Sequence, residues 1–243
     1  MPYERHREFE ALGLSDPLWR YMDFTKFVTM LATKKLYLGR IDTLGDAFEG
    51  AYPIAPSNGF RGFFGTEETN RYHEEKAASA KARKFYYTNC WHGNDEESDA
   101  MWKIYVRGNE GIAIRTTFKR LRDALNVATE TLWIVPVKYL DGWKSLPTNP
   151  TLHACASKRK CFEHEREVRV LWRNADAERS GRPGKKGIGV SCDMATLIDT
   201  VCLAPTKSKW FKPVVEDVLR KYNVKATVGS SRLDLNPWCK TAK

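Results

Sequence analysis

No stretch of about 18 uninterrupted apolar residues, the length a helix needs to cross a bilayer, occurs in this chain of 243 residues. The opening Met1-Pro2-Tyr3-Glu4-Arg5-His6-Arg7 lacks the apolar core of a secretion signal. A soluble, cytoplasmic protein with no membrane span is expected. Cysteine is sparse. The six, Cys90, Cys155, Cys161, Cys192, Cys202 and Cys239, form no Cys-x2-Cys pair, and a chain this long needs no disulfide staples, so reduced thiols are expected. Cys155 and Cys161 stand near His153 and His164, but the spacings of a zinc site are missing and two ordinary buried thiols account for them. No metal is expected. Acidic residues are also short: 30 Asp and Glu face 40 Lys and Arg, a formal charge of +10 that excludes an acidic, solvating tail-like chain. Internal repeats, low-complexity segments and long linkers are absent, so residues 1–243 read as one domain.

Apolar residues make up 42% of the chain, with 8 Trp, 10 Tyr and 11 Phe, enough to bury a core and too many for a disordered or collagen-like protein. The positive charge is uneven. Residues 1–100 hold 13 basic and 16 acidic side chains, whereas residues 101–243 hold 27 and 14. The basic clusters are Lys158-Arg159-Lys160, Arg182 with Lys185-Lys186 in a Gly/Pro loop, and Lys207-x-Lys209-Trp210-Phe211-Lys212. Basic groups interleaved with aromatics suit a nucleic-acid surface, where phosphates are attracted and bases stack. A solvated basic face of an ordinary domain gives the same letters.

Apolar spacing predicts a helix over 17–33, a short strand 36–41 and a turn-rich stretch 42–50. A loop follows, then a surface helix over 67–84. Strands are expected at 85–91, 111–116, 131–139, 165–172, 188–192, 200–203 and 225–228, with helices at 100–105, 118–125 and 210–222 and weak helical character at 153–164. The order predicts a single α+β domain with a central mixed, mostly antiparallel sheet flanked by helices.

Three features look chemical. Arg40 closes a strand just before Asp46-Ala47-Phe48-Glu49-Gly50, where a guanidinium can fork onto phosphate oxygens or pair with Asp42 or Glu49. Trp102 and Tyr105 share a helix face, as core or as a ligand platform. Alternation over 165–172 puts Glu165 and Glu167 on one strand face, roughly 6.5 to 7 Å apart, with Arg169 continuing it. Carboxylates that close raise one another's pKa unless a cation compensates, and a solvent-facing strand edge would look the same.

In order, Lys35-Leu36-Tyr37-Leu38, Gly45-Asp46-Ala47-Phe48-Glu49-Gly50, Asn89-Cys90-Trp91-His92, Met101-Trp102-Lys103-Ile104-Tyr105, Gly111-Ile112-Ala113-Ile114 and Phe162-Glu163-His164-Glu165-Arg166-Glu167-Val168-Arg169 occur along the chain. This series resembles the bacterial domain of unknown function family 2971 over about residues 18–205, leaving 206–243 as a basic C-terminal part. Gly45 and Ala47 stand where Asn and Pro are usual, His92 where Ser is usual, and Phe162 where Trp is common. The order Arg40, then Tyr87-Thr88-Asn89-Cys90, then Glu165-x-Glu167 also resembles the Arg, Ser, Glu type of ADP-ribosyltransferase, with Thr88 alone representing the hydroxyl strand.

That second resemblance implies an ADP-ribosyltransferase-like fold and NAD as substrate. Glu167 would stabilise the charge that builds on the ribose as nicotinamide leaves, Glu165 would orient the acceptor and Arg40 would hold the phosphates. Tyr37, Trp91, Trp102 or Tyr105 would stack on nicotinamide beside Thr88. Nucleic acid is the expected acceptor, met by Lys158, Arg159, Lys160, Lys185 and Lys186. A bacterial toxin or phage-defence effector with a neutralising protein partner is implied as well. The rival readings are a non-catalytic nucleic-acid-binding module with Glu165 and Glu167 facing solvent, and a metal-dependent nuclease using Glu165, Glu167 and Asp46.

Overall fold

The fold is given by a computed structural model that describes residues 3–7, 9, 11–51, 74, 77–78, 80–140, 150–205 and 207–234. The expected loop after residue 50 and most of the expected helix over 67–84 lie outside the described residues. The domain is α+β, with a central mixed sheet flanked by helices. Its strands are β1 (Pro17–Asp23), β2 (Lys35–Arg40), β3 (Tyr86–Gly93), β4 (Gly111–Thr117), β5 (Leu132–Pro136), β8 (Glu167–Arg173), β9 (Gly187–Ser191), β10 (Thr200–Leu203) and β11 (Thr227–Ser230). They run in the order β11-β10-β4-β1-β3-β2-β9, with β8 and β5 branching from β3. Only β10 with β11 is parallel in this sheet. A separate parallel pair joins β6 (Lys138–Leu140) to β7 (Ser157–Arg159). Among the described residues no helix is long and apolar enough to cross a membrane.

One local feature of the sheet makes the site. One edge of β3 is fully covered by β8, from Tyr86↔Arg173 to His92↔Glu167. The other edge is shared. β2 pairs it at Thr88 and Tyr87, and β1 pairs it at Gly93 and His92. Between those two contacts β1 and β2 diverge, and residues 89–91 have no strand partner on that side. Buried backbone groups require partners, so side chains must serve them. Arg20 Nη1 donates to the Cys90 carbonyl at 2.6 Å, and Asn89 Nδ2 donates to the Tyr37 carbonyl at 2.8 Å.

The expected helix over 17–33 is in fact β1 followed by α1 (Phe24–Thr33). Both faces of β1 are covered, so its burial repeats every three residues and mimics a helical stripe. Lys34, in the left-handed region at φ 51, ends α1 and turns the chain straight into β2. Leu18, Phe27, Leu31, Leu36, Leu38, Ile112 and Ile114 fill the main core and hold α1 on the sheet. Each buried side chain of this kind contributes about 1.5–3 kcal/mol. The helix α7 (Phe211–Lys221) buries Phe211, Val215 and Leu219, one stripe at four-residue spacing.

A second correction falls on the paired acids. The strand starts at Glu167, and Glu165 ends a 3-10 turn, Lys160–Glu165. Arg166, at φ 39, adopts the left-handed conformation between them, so Glu165 and Glu167 do not share a strand face. The weak helical stretch 153–164 resolves into α4 (Pro150–Cys155), β7 and that turn. Further helices are α2 (Asp99–Tyr105), α3 (Phe118–Ala124), α5 (Ala175–Ser180) and α6 (Met194–Leu197), the last two without a clear periodic signal in sequence.

Candidate active site

The gap between β1 and β2 opens a cleft of about 260 Å³. Its walls include Arg20 and Tyr21 from β1, Tyr37 and Gly39 from β2, Thr88, Cys90 and His92 from β3, Tyr105 from α2, and the acids Glu165 and Glu167. A second groove of about 460 Å³ runs along α1 and shares Arg20 and Tyr37 with the cleft. Met22, Met30 and Leu36 give it an apolar floor, and Thr25, Thr29 and Thr33 put hydroxyls along its helical side.

At the floor lies a closed ring of charges. Arg169 Nε and Nη2 hold Glu167 Oε1 and Oε2 at 2.9 Å each. The same Nη2 reaches Glu49 Oε2 at 2.7 Å, and Nη1 donates to the Cys155 carbonyl at 2.6 Å. Lys158 Nζ closes the ring, 3.3 Å from Glu49 Oε1 and 3.5 Å from Glu167 Oε2, and adds Glu165 Oε2 at 2.7 Å. All five side chains are buried. Three carboxylates against two cations leave one net negative charge, held away from water where fields are strong.

This ring sets protonation. Burial alone would raise the Glu167 carboxyl, but the charge and hydrogen bonds of Arg169, then the charge of Lys158 and a bond from Cys90, hold it down at about 2. Burial would lower Lys158, yet Glu167, Glu165 and Glu49 raise it, so it stays an ammonium. The Cys90 thiol is pushed up by burial and by Glu167 and stays protonated. Burial likewise pushes up the Tyr105 hydroxyl, aided by the charge of Glu165. Arg20 is lowered by burial, and among the described residues no carboxylate pairs with it. Its charge is therefore available to an anion in the cleft, and its guanidinium carbon lies 5.8 Å from the centroid of the Trp91 ring.

Of the residues expected at a site, Glu165, Glu167, Tyr37, Thr88, Trp91 and Tyr105 converge on this cleft. Tyr37 stands largely exposed at its mouth, and Trp91 is buried. Trp102 does not reach it: buried with Trp19 and Tyr21, it donates from Nε1 to Glu97. Arg40 points to the opposite face of β2 and grips Asp42 at 2.6 Å, because residues 36, 38 and 40 share the core side while 37 and 39 face the cleft. It also donates to the Gly184 carbonyl at 2.7 Å.

Arg20, and not Arg40, lines the cleft. A lone arginine inside the apolar run Leu18-Trp19-Arg20-Tyr21-Met22 was the signal, hidden by reading that run as a helix.

The basic clusters divide. Lys158 is buried in the charge ring and offers no free cation to a nucleic acid. Arg159 pairs with Asp46 at 3.0 Å and stacks on Phe48 and Phe162. Lys160 is exposed on the turn beside them. Arg182, Lys185 and Lys186 are exposed on the loop before β9. That loop is pinned by its carbonyls: Tyr87 Oη donates to Lys185, and the Arg40 amide to Lys186.

Burial of Glu165 and Glu167 removes the solvent-facing placement on which a purely binding role rested. The nuclease reading meets a different obstacle, since Glu165 and Glu167 already face Lys158 and Arg169, and Asp46 faces Arg159. Among the described residues no group of three or more His, Cys, Asp or Glu is disposed to hold a metal ion.

No protein-family model matches the chain, that of family 2971 included, and no curated protein matches it. Among solved structures, DarT of Thermus sp. 2.9 in complex with NAD+ aligns over 93% of this chain and 100% of its own, at 9% identity and TM-score 0.45. The same protein in complex with ADP-ribosylated ssDNA covers 93% and 98% at 11% identity and TM-score 0.43. Its complex with carba-NAD+ covers 92% and 98% at 9% identity and TM-score 0.39. Scores of this size describe a partial likeness of shape and leave the chemistry to the residues themselves.

Proposed function

We propose that this protein transfers ADP-ribose from NAD to a nucleic acid in the cytoplasm. The observation that carries the reading is one cleft holding two complementary charges: an immobilised, ionised Glu167 and a guanidinium, Arg20, with no acid partner among the described residues. Arg20 takes the diphosphate, at the junction of the cleft and the α1 groove. The nicotinamide ribose lies toward Glu167, and the adenosine half lies along Met22, Met30 and the α1 threonines. Tyr37 and Tyr105 supply rings for nicotinamide.

In the reaction, the bond between ribose C1′ and the pyridinium nitrogen breaks, and its electron pair leaves with neutral nicotinamide. Positive charge grows on the ribose ring, and the fixed Glu167 carboxylate stabilises it without having to reorganise. A nitrogen or oxygen of the acceptor then bonds to C1′ and gives up its proton. Glu165, tied to Lys158, orients the acceptor. The exposed Arg182, Lys185 and Lys186 attract its phosphates.

The test incubates the protein with NAD labelled in the ADP-ribose part and with separate pools of RNA, DNA and cell protein, beside Glu167→Gln. Label in a nucleic-acid pool, with nicotinamide released and both lost in the variant, is the expected result. Absence of transfer and of nicotinamide release overturns the reading, and label in protein alone moves the acceptor. Modification of nucleic acid harms the cell that makes it, so expression of the active chain should arrest growth unless a neutralising protein partner accompanies it.

A further inference from the structure

His92 lies on β3 directly across from Glu167 on β8, and it is 2% exposed. Its Nδ1 stands 2.6 Å from the backbone carbonyl oxygen of Glu165. A carbonyl only accepts, so Nδ1 carries the hydrogen, and Nε2 is left with a bare lone pair. Among the described residues that Nε2 has no partner, although it is buried and its ring borders the cleft. Buried polar atoms without partners are rare and call for a ligand or a role.

Transfer releases one proton from the acceptor, and the cleft offers few places for it. Glu167 is forked by Arg169 and is too weak a base, and Glu165 is tied by its Oε2 to the Lys158 ammonium at 2.7 Å. The Cys90 and Tyr105 side chains are protonated. Asn89 Oδ1 is another buried acceptor in the cleft wall without a partner among the described residues, and an amide oxygen does not take protons near neutral pH.

We infer, on the transferase reading, that His92 Nε2 is the general base. As the acceptor's nitrogen or oxygen bonds to ribose C1′, its proton passes to Nε2 and the C1′–nitrogen pair leaves with nicotinamide. The resulting imidazolium keeps its Nδ1 bond to Glu165 and returns the proton to solvent once product departs. Facing the ring are Tyr21 from β1, whose hydroxyl accepts the Ser98 amide at 2.8 Å, Glu167 from β8, and Arg166 and His164 around the turn. Burial, and then the charge of Arg166, lower the resting imidazole and keep it neutral, opposed by its bond to the Glu165 carbonyl.

His92→Asn tests this, because the Asn amide takes the place of Nδ1–H on the Glu165 carbonyl and removes Nε2. The expected result is a kcat for transfer lowered roughly 10²- to 10⁴-fold with the KM for NAD unchanged. In His92→Ala, added imidazole should restore part of the rate. Nitrogen-15 NMR of the wild-type imidazole, which needs no activity, should find Nδ1 protonated and Nε2 bare. A wild-type kcat in His92→Asn, or a hydrogen on Nε2, overturns the inference; if His92→Asn does not fold, the tautomer and the imidazole rescue decide. A wild-type protein that transfers nothing overturns the transferase reading instead, and is distinguishable because the tautomer result stands on its own.

Discussion

Arg169 holds Glu167 at two points, Nε to Oε1 and Nη2 to Oε2, both at 2.9 Å, from two positions further along the same strand. Alternation puts residues i and i+2 on one face, so the fork closes within a single strand and needs no distant element to form it. Glu49 and Lys158 then lock the fork from outside the strand.

Removing the fork leaves buried carboxylates short of a cation. Arg169→Met should destabilise the domain by about 3–5 kcal/mol, the usual result of removing one partner of a buried ion pair. It should also raise the Glu167 carboxyl. Denaturant unfolding checks the first expectation, and carbon-13 NMR of the Glu167 carboxyl checks the second. A loss within the range of an exposed salt bridge would mean that Glu49 and Glu167 reach solvent.

Acid should act on the same group. Glu167 sits at about 2 in the folded protein against an ordinary carboxyl value of 4.5. A lowered folded pKa contributes stability that is complete above about 4.5 and is lost as pH falls toward 2. The size is about 3 kcal/mol at neutral pH, from the value of one pKa unit. Unfolding free energies measured from pH 7 to 2 should therefore fall more steeply below 4.5 in the wild type than in Glu167→Gln. Identical slopes would remove the anchored anion from the account.

Much of this was legible in the sequence, and the failures share a cause. The α+β class and the mostly antiparallel sheet followed from element order, whereas alternation placed Glu165 on a strand face that it does not share with Glu167. Arg20 and the ring did not follow from either. A strand covered on both faces loses its two-residue period, so β1 looked helical and its arginine looked incidental. Lys158 and Glu49 reach Glu167 only through tertiary contact, and nothing local marks Lys158 as different from Arg159 or Lys160. The left-handed Arg166 is equally silent, because no residue type announces it.

The two arginines separate the phosphate site expected from the sequence from the one proposed in the cleft. Arg20→Met should raise the Kd for NAD roughly 10- to 150-fold, the worth of one charged hydrogen bond, and should leave the Glu167 ring unchanged. Arg40→Met should leave NAD binding alone, since Arg40 holds Asp42 and the Gly184 carbonyl on the other face of β2. Calorimetric titration with NAD distinguishes them. The opposite pattern would return the phosphates to Arg40.

Arg40 instead holds the loop before β9. The backbone that carries the exposed Lys185 and Lys186 is held by the Arg40 guanidinium, the Tyr87 hydroxyl and the Arg40 amide, which bond three successive carbonyls of that loop. Each lysine on a phosphate releases counterions, so its loss flattens the salt dependence of binding by about 1 in the logarithmic slope. The double variant Lys185→Ser and Lys186→Ser should bind nucleic acid more weakly at every sequence tested, with a slope reduced by about 2. Arg40→Met should weaken binding with a smaller change of slope, because the lysines remain but their positions are no longer fixed. Fluorescence anisotropy across a salt series reads both quantities. An unchanged slope in the double variant would exclude this loop from the nucleic-acid surface and leave Lys160 and the Lys209-Trp210 segment to carry it.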